Sequence, residues 1–150
     1  MTEKESLIQI QNLSKTFISE KGKEVKALAP TSLDVPENDF ICIVGPSGCG
    51  KSTLLRIVAG LETSTSGQVL YKGESHTKPS REIGMVFQQY SLLPWRTVEE
   101  NIVLGMEFRK ESKEAKAACA EHYLKLIGME NFRHAYPYEL SGGMQQRVAS

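Results

Sequence analysis

The first half of the chain alternates between apolar and polar positions with the period of β-strands. Residues 7–13 alternate in this way, and shorter extended segments are predicted at residues 25–28 and 31–35. Residues 40–44 are apolar throughout, which predicts a strand buried on both faces, as in a parallel sheet covered by helices. Two more strands are predicted at residues 68–71 and 83–87.

Helical periodicity begins near Gly50 and dominates the second half of the chain. Thr97 and Glu100 have the spacing of a capping box, which predicts a helix running to about Phe108. A further helix is predicted over residues 112–127, with Gly128 as the left-handed residue that ends it. Residues 144–150 also have a helical pattern.

Composition narrows the class of protein only moderately. The 150 residues are 40% apolar and 24% charged, and 18 basic residues balance 18 acidic ones. Such values are typical of a soluble globular domain and exclude a strongly basic nucleic-acid binder. No stretch approaches the length of a membrane span, and the polar N-terminus is unlike a signal peptide. Three cysteines without ligand spacing fit a reducing cytosol.

A phosphate-binding loop is predicted where the apolar strand meets the first helix, because residues 45–52 fit G-x-x-x-x-G-K-[ST]. The glycines let the backbone curl so that its N–H groups form an anion nest, and the helix adds its positive end. The lysine is expected to reach the β- and γ-phosphates, and the serine to ligate Mg²⁺. The predicted nucleotide-binding residues are Gly45, Pro46, Ser47, Gly48, Cys49, Gly50, Lys51, Ser52 and Thr53.

A second motif selects among P-loop proteins. Ser141, Gly142 and Gly143 offer a hydroxyl and backbone N–H groups at a predicted helix N-terminus, which is a second anion site. With Leu140 before them, they resemble the L-S-G-G-Q signature of the ATP-binding-cassette (ABC) ATPases, although Met144 replaces the fifth residue. Met followed by Gln-Gln-Arg is similar to the nitrate/sulfonate/taurine import branch. The signature disfavours a P-loop kinase.

The resemblance assigns roles to further side chains. Gln88 matches the family's Q-loop glutamine, which implies a catalytic residue that ligates Mg²⁺ or holds the attacking water. Phe17 matches the aromatic residue that stacks on adenine, where Tyr is commoner; a core Phe is the alternative. Residues 92–95 also resemble the import branch. There Trp95 lies either near the groove for a permease helix or in the core under a loop.

The resemblance implies an α/β fold: a P-loop NTPase (RecA-like) core with an antiparallel β subdomain and an α-helical subdomain that carries the signature. We expect a partial nucleotide-binding domain over residues 1–150, divided at about 1–93 and 94–150. No run of four apolar residues ends in Asp, and residues 144–150 contain no helix stop signal. We therefore expect an N-terminal fragment whose core is incomplete at its C-terminus.

The implied function is that of an ABC transporter motor subunit, which couples ATP binding and hydrolysis to import of a small anion such as nitrate, sulfonate or taurine. ATP and Mg²⁺ are the implied ligands. The implied partners are a second ATPase subunit in a head-to-tail dimer, transmembrane permease subunits and, indirectly, a solute-binding protein, but no nucleic acid. The implied location is peripheral, at the cytoplasmic face of the membrane. The alternative is a nucleotide-binding piece without turnover, and the chain alone is expected to be inactive.

Overall fold

The computed structural model describes residues 6–150, which form two compact units divided between Met85 and Val86. The first unit contains a sheet and one helix: β1 (Ser6–Ile18), β2 (Glu24–Pro36), α1 (Lys51–Val58), β3 (Ser66–Tyr71) and β4 (Glu74–Ser75). The second unit is helical: α2 (Val98–Ile102), α3 (Leu104–Phe108), α4 (Lys113–Ile127) and α5 (Gly142–Ala149). Within the described residues, no helix has the length and apolar character needed to span a membrane.

The sheet has the strand order β2-β1-β3-β4, and each neighbouring pair is antiparallel. A tight hairpin joins the first two strands, in which the Ser19 N–H donates to the Lys23 carbonyl at 2.9 Å. Beyond it, Phe17 pairs with Val25 and Ile10 with Leu33. Because β1 pairs on both sides, it is the central strand on which the first unit is built.

Helix α1 packs its apolar face on this sheet. Leu54 and Ile57 are both buried, and their spacing of three residues places them on one side of the helix. They form a single core with the buried strand residues Ile10, Leu13, Leu28 and Val69. Each fully buried side chain of this size contributes about 1.5–3 kcal/mol, so this contact holds α1 against the sheet.

The two short strands predicted at residues 25–28 and 31–35 are one continuous strand, β2. Leu28 pairs with Lys15 and Thr31 with Leu13, so β2 advances three residues while β1 advances two. The extra residue is a β-bulge at the position of Pro30. Proline is tolerated there because β2 is an edge strand, where a missing N–H leaves no neighbour unpaired.

The strands predicted at residues 40–44 and 83–87 are wrong, because neither segment has strand structure. Phe40 is 89% and Val44 88% exposed, and Val86 is 69% exposed. A strand needs neighbours for its backbone hydrogen bonds, and the four-stranded sheet includes neither segment. The expected parallel strand covered by helices is therefore not formed within residues 6–150.

The capping box of the second unit is confirmed. The Glu100 N–H donates to the Thr97 hydroxyl, and the Thr97 N–H donates to the Glu100 carboxylate at 2.8 Å. The helix it starts does not run to Phe108 without interruption, because α2 and α3 are separated at Val103. Val98 and Val103 are buried in the same core. In an unbroken helix, side chains five residues apart would point about 140° away from each other. The break lets both valines face that core.

The longest helix, α4, begins and ends as predicted. The Ser112 hydroxyl accepts from the Ala115 N–H, and Gly128 ends the helix with a φ of 65°. The Met129 N–H donates to the Leu124 carbonyl at 2.8 Å, and both side chains are fully buried. This C-terminal motif turns the chain back into the core of the second unit, which also contains Ala120, Leu140 and the two valines.

A buried lysine ties the end of α1 to the central strand. The Lys15 ammonium in β1 donates to the Glu62 carboxylate at 2.7 Å and to the Thr63 carbonyl at 2.6 Å. Glu62 lies in the segment that leaves α1. The hydrogen bond from Lys15, and then that from the Thr63 N–H, lower the pKa of the Glu62 carboxyl below its ordinary value of 4.5.

We predict that this ion pair contributes to acid sensitivity. A carboxyl with a lowered folded-state pKa contributes stability above its unfolded pKa and loses it as pH falls through the folded value. The free energy of unfolding of the parent chain should therefore fall more steeply between about pH 5 and pH 3 than that of Glu62→Gln. Urea titrations across that range measure the difference. Lys15→Met should show the shallower slope too, and parallel curves for all three chains would contradict the assignment.

Candidate functional site

The predicted phosphate loop lies between β2 and α1 in the first unit. Its residues are exposed up to Cys49, and Lys51 is the first residue of α1. Gly50 has a φ of 100°, and a Cβ there would come within 2.5 Å of the Ala27 carbonyl oxygen and 3.0 Å of Leu28 Cδ1. The loop backbone therefore lies against β2 at a distance that only glycine permits.

Lys51 reaches back across the loop. Its ammonium donates to the carbonyl oxygens of Gly45 and Pro46, at 2.7 Å each, and lies 3.5 Å from Cys49 Sγ. The positive charge is thus held over the loop at the N-terminal end of α1. Ser52 is exposed and Thr53 half-buried in the first turn of the same helix. This arrangement of ammonium, hydroxyls and helix N-terminus suits a phosphate group.

Two of the five α-helices in the described part of the chain have first turns that leave the helix dipole without a negative partner. The first turn of α1 contains no acidic residue, and neither does that of α5. The other helices contain Glu99, Glu100, Glu107 or Glu114 at this position. A carboxylate stabilises a helix N-terminus, and its absence leaves the positive end available to an external anion.

A cavity of about 510 Å³ adjoins the loop. It is lined by loop residues and by the hairpin strands: Ser14, Thr16, Lys26, Ala27, Leu28, Ala29, Pro30, Gly48 and Cys49. Sequence reasoning missed the contribution of Lys26 and its neighbours, because the bulge that brings β2 to the loop depends on pairing with β1. The volume is within the usual range of small-molecule sites.

Phe17 lies at the end of β1, one residue beyond Thr16 of the cavity lining. Its side chain is 40% exposed, so the alternative of a core phenylalanine is excluded. The Lys15 ammonium lies 4.8 Å from the centre of its ring, at cation–π distance. The ring thus has one face covered by a cation and part of its surface open to solvent. Its contact with adenine stays a prediction.

The signature motif forms the start of α5 in the second unit. The Ser141 hydroxyl accepts from the Met144 N–H, and Gly142 and Gly143 are the first two helical residues. All three are exposed, and a Cβ at Gly142 would lie 3.3 Å from the Tyr90 hydroxyl oxygen. The helix predicted over residues 144–150 is confirmed and begins two residues earlier, at Gly142. Ser141 caps this helix, and its role as a phosphate ligand stays a prediction. The backbone N–H groups of this turn are placed as an anion site requires.

Gln88 lies in an exposed bend at the start of the second unit. Ser52, its predicted partner in binding Mg²⁺, lies in the first unit. Each unit has its own core, and the pairing of these two side chains therefore stays a prediction.

The loop after Gln88 is held by a residue that sequence reasoning missed. The Asn101 side chain accepts from the Leu93 N–H at 2.8 Å and donates to the carbonyls of Leu93, Arg96 and Thr97. An asparagine inside a predicted helix gives no local signal of such a role. Trp95 in this loop is 70% exposed, which excludes the alternative of a core tryptophan.

The glycine-lined loop, the helix behind it and the antiparallel sheet define a P-loop protein with the architecture of an ATPase cassette. The chain belongs to the ABC transporter family, whose sequence model matches residues 28–149. The resemblance predicted from the motifs is thereby confirmed.

Known proteins similar to this chain include import subunits and a solved cassette. The chain is 45% identical to the nitrate import ATP-binding protein NrtD of Synechocystis sp. and 44% identical to the taurine import ATP-binding protein TauB of Roseobacter denitrificans. Both matches cover 95% of this chain and 53% of the relative. The chain thus spans about half the length of the curated relatives it matches. These relatives confirm the resemblance to the import branch.

The solved structure is the dimeric post-hydrolysis state of the ATP-binding cassette MJ0796 bound to ADP and Pi. Its TM-score is 0.84 at 34% identity, over 95% of this chain and 66% of that chain. This likeness confirms the fold class, a P-loop core with an antiparallel β subdomain and a helical subdomain.

We predict that Gly50→Ala destabilises the chain more than Gly22→Ala. Both glycines have positive φ, but the Cβ position at Gly22 has nothing within 4 Å. Gly22→Ala should cost about 1–2 kcal/mol for the left-handed backbone alone. Gly50→Ala should cost about 1–3 kcal/mol more, because the loop must move away from β2. Urea denaturation measures both, and equal losses would contradict the close packing of loop and strand.

Proposed function

We propose that the chain is the ATP-binding part of an ABC transporter motor subunit. The observation that carries this proposal is the Lys51 ammonium, held over a glycine-lined loop at a helix N-terminus that has no acidic residue of its own. A triphosphate would replace the carbonyls of Gly45 and Pro46 as the acceptor of that ammonium. The loop N–H groups and the start of α1 would hold the remaining phosphate oxygens.

Magnesium binds the same nucleotide in this proposal. The Ser52 hydroxyl is one ligand, and the Gln88 amide oxygen either is the other protein ligand or holds the attacking water. Hydroxyl and amide oxygens are the hard donors that Mg²⁺ prefers, and phosphate oxygens and water complete its shell. Phe17 stacks on the base.

The signature turn, Ser141 to Gly143, serves the nucleotide of a second subunit. Two anion sites on separate compact units suit a head-to-tail dimer in which each nucleotide is held from both sides. The solved cassette is dimeric, which supports this assembly. Permease subunits receive the exposed Trp95 loop. A solute-binding protein, which acts indirectly, completes the transporter.

The transported solute is a small anion such as nitrate, a sulfonate or taurine, and transport is inward. The support is that two relatives, at 45% and 44% identity, are nitrate and taurine import ATP-binding proteins. The subunit acts peripherally at the cytoplasmic face of the membrane, where ATP is available. We expect no nucleic-acid partner, since a formal net charge of zero is unlike that of a strongly basic nucleic-acid binder. The β subdomain and P-loop core extend to about residue 93, and the helical subdomain follows.

The whole protein hydrolyses ATP in this proposal, whereas residues 1–150 by themselves bind it without turnover. Hydrolysis requires an aspartate that holds Mg²⁺ and a carboxylate that orients water. The sequence contains no apolar strand pattern ending in Asp. Among the described residues, no group of three or more His, Cys, Asp or Glu side chains could hold a metal ion.

We predict that Lys51→Ala weakens Mg-ATP binding by about 1.5–3 kcal/mol, because it removes a charge-assisted hydrogen bond to phosphate. The matched control is Lys113→Ala, since Lys113 is also the first residue of a helix and is exposed. Calorimetric titration of the three chains with Mg-ATP measures the effect. Equal affinity of Lys51→Ala and Lys113→Ala would overturn the assignment of the loop.

We also predict that the purified 150-residue chain releases phosphate from ATP far more slowly than about 1 per second, an ordinary enzyme rate. Phosphoryl transfer depends mainly on positioned charges. Two of these, the aspartate that holds Mg²⁺ and the carboxylate that orients water, have no counterpart in this sequence. A phosphate-release assay with the Lys51→Ala chain as the blank measures this. Turnover near 1 per second that disappears in the blank would show that other residues supply the chemistry.

A further inference from the structure

Lys15 is the one charged residue of the described chain that is buried, with 9% exposure. Lysine is almost never buried unless its charge is paired. Here the ammonium donates to the Glu62 carboxylate and to the Thr63 carbonyl, at 2.7 and 2.6 Å. It also lies 4.8 Å from the centre of the Phe17 ring. Its position is therefore fixed by two hydrogen bonds and one ring.

The ring of Phe17 is held from one side only. The cation covers one face, and the side chain retains 40% exposure. The preceding residue, Thr16, lines the cavity beside the phosphate loop together with Gly48 and Cys49. Phe17 follows Thr16 along the strand without lining the cavity itself, and an aromatic ring with an open surface suits a flat, apolar ligand face.

The same ammonium connects the central strand to the segment that follows α1. Glu62 and Thr63 belong to the segment that leaves α1, an eight-residue helix that begins at Lys51. Phe17 belongs to β1. Lys15 therefore joins the strand that carries the ring to the segment that follows α1.

We propose that Lys15 is a positioning residue for nucleobase recognition: it holds the Phe17 ring in the orientation in which a base stacks on it. This inference rests on the proposed nucleotide-binding function and deepens it. A ring that is already ordered loses less side-chain entropy when a base stacks on it, and affinity rises accordingly. A ligand without a base gains nothing from this arrangement.

The test compares two ligands, Mg-ATP and Mg-bound inorganic triphosphate, by calorimetry on the full 150-residue chain. Lys15→Met keeps the length of the side chain and removes its charge. It should raise the Kd for ATP about twofold to tenfold and leave the Kd for triphosphate unchanged. Phe17→Leu should have the same selective effect. The double variant should bind ATP no more weakly than Phe17→Leu alone, because both changes remove one interaction. Lys15→Arg should restore part of the affinity for ATP.

The outcomes separate this inference from the function on which it rests. Equal weakening for ATP and triphosphate in Lys15→Met would reduce Lys15 to a structural role and overturn the inference. Unchanged ATP binding, or additive effects in the double variant, would also overturn it. If the parent binds neither ligand, the proposed function fails and this inference with it. If Lys15→Met does not fold, Glu62→Gln replaces it in the test. We expect Glu62→Gln to weaken binding of ATP and not of triphosphate. An equal loss for both ligands would overturn the inference.

Discussion

The close approach of the phosphate loop to β2 at Gly50 is the constraint on which the candidate site depends. The Ala27 carbonyl and the Leu28 side chain leave no room for a Cβ at this residue. Immediately afterwards, Leu54 and Ile57 anchor α1 in the core of the sheet. The N-terminus of α1 is thereby held against the hairpin, with Lys51 above the loop. Chain geometry and core packing together create the positive site.

The second unit also holds a helix N-terminus in place, but with different residues. Ser141 caps α5, and the Arg147 guanidinium donates to the Ile127 carbonyl at the end of α4. Gln145 donates to the carbonyls of Pro137 and Leu140, which fixes the turn that precedes the helix. Each unit thus presents a rigid helix N-terminus without an acidic residue beside it. Each of these ends is complementary to a phosphate group.

Local signals in the sequence predicted the helices of the second unit well. Thr97 with Glu100, and Gly128, act within one turn of their own helix, so their meaning does not depend on distant residues. The strands predicted at residues 40–44 and 83–87 failed because a strand exists only with a partner, and β1, β2 and β3 pair with one another instead. The motif residues of the loop and signature were predictable. The Lys15 contact was not, since Glu62 lies 47 residues away.

Hydrogen exchange of the backbone amides tests the central claim most directly, because it reports on the loop itself. The chain would be compared with and without Mg-ATP by mass spectrometry of short peptides. The account predicts slower exchange at residues 46–53 on adding Mg-ATP, with the hairpin at residues 19–23 unchanged and the protection lost in Lys51→Ala. Binding of Mg-ATP that leaves exchange at residues 46–53 unaltered would contradict the account.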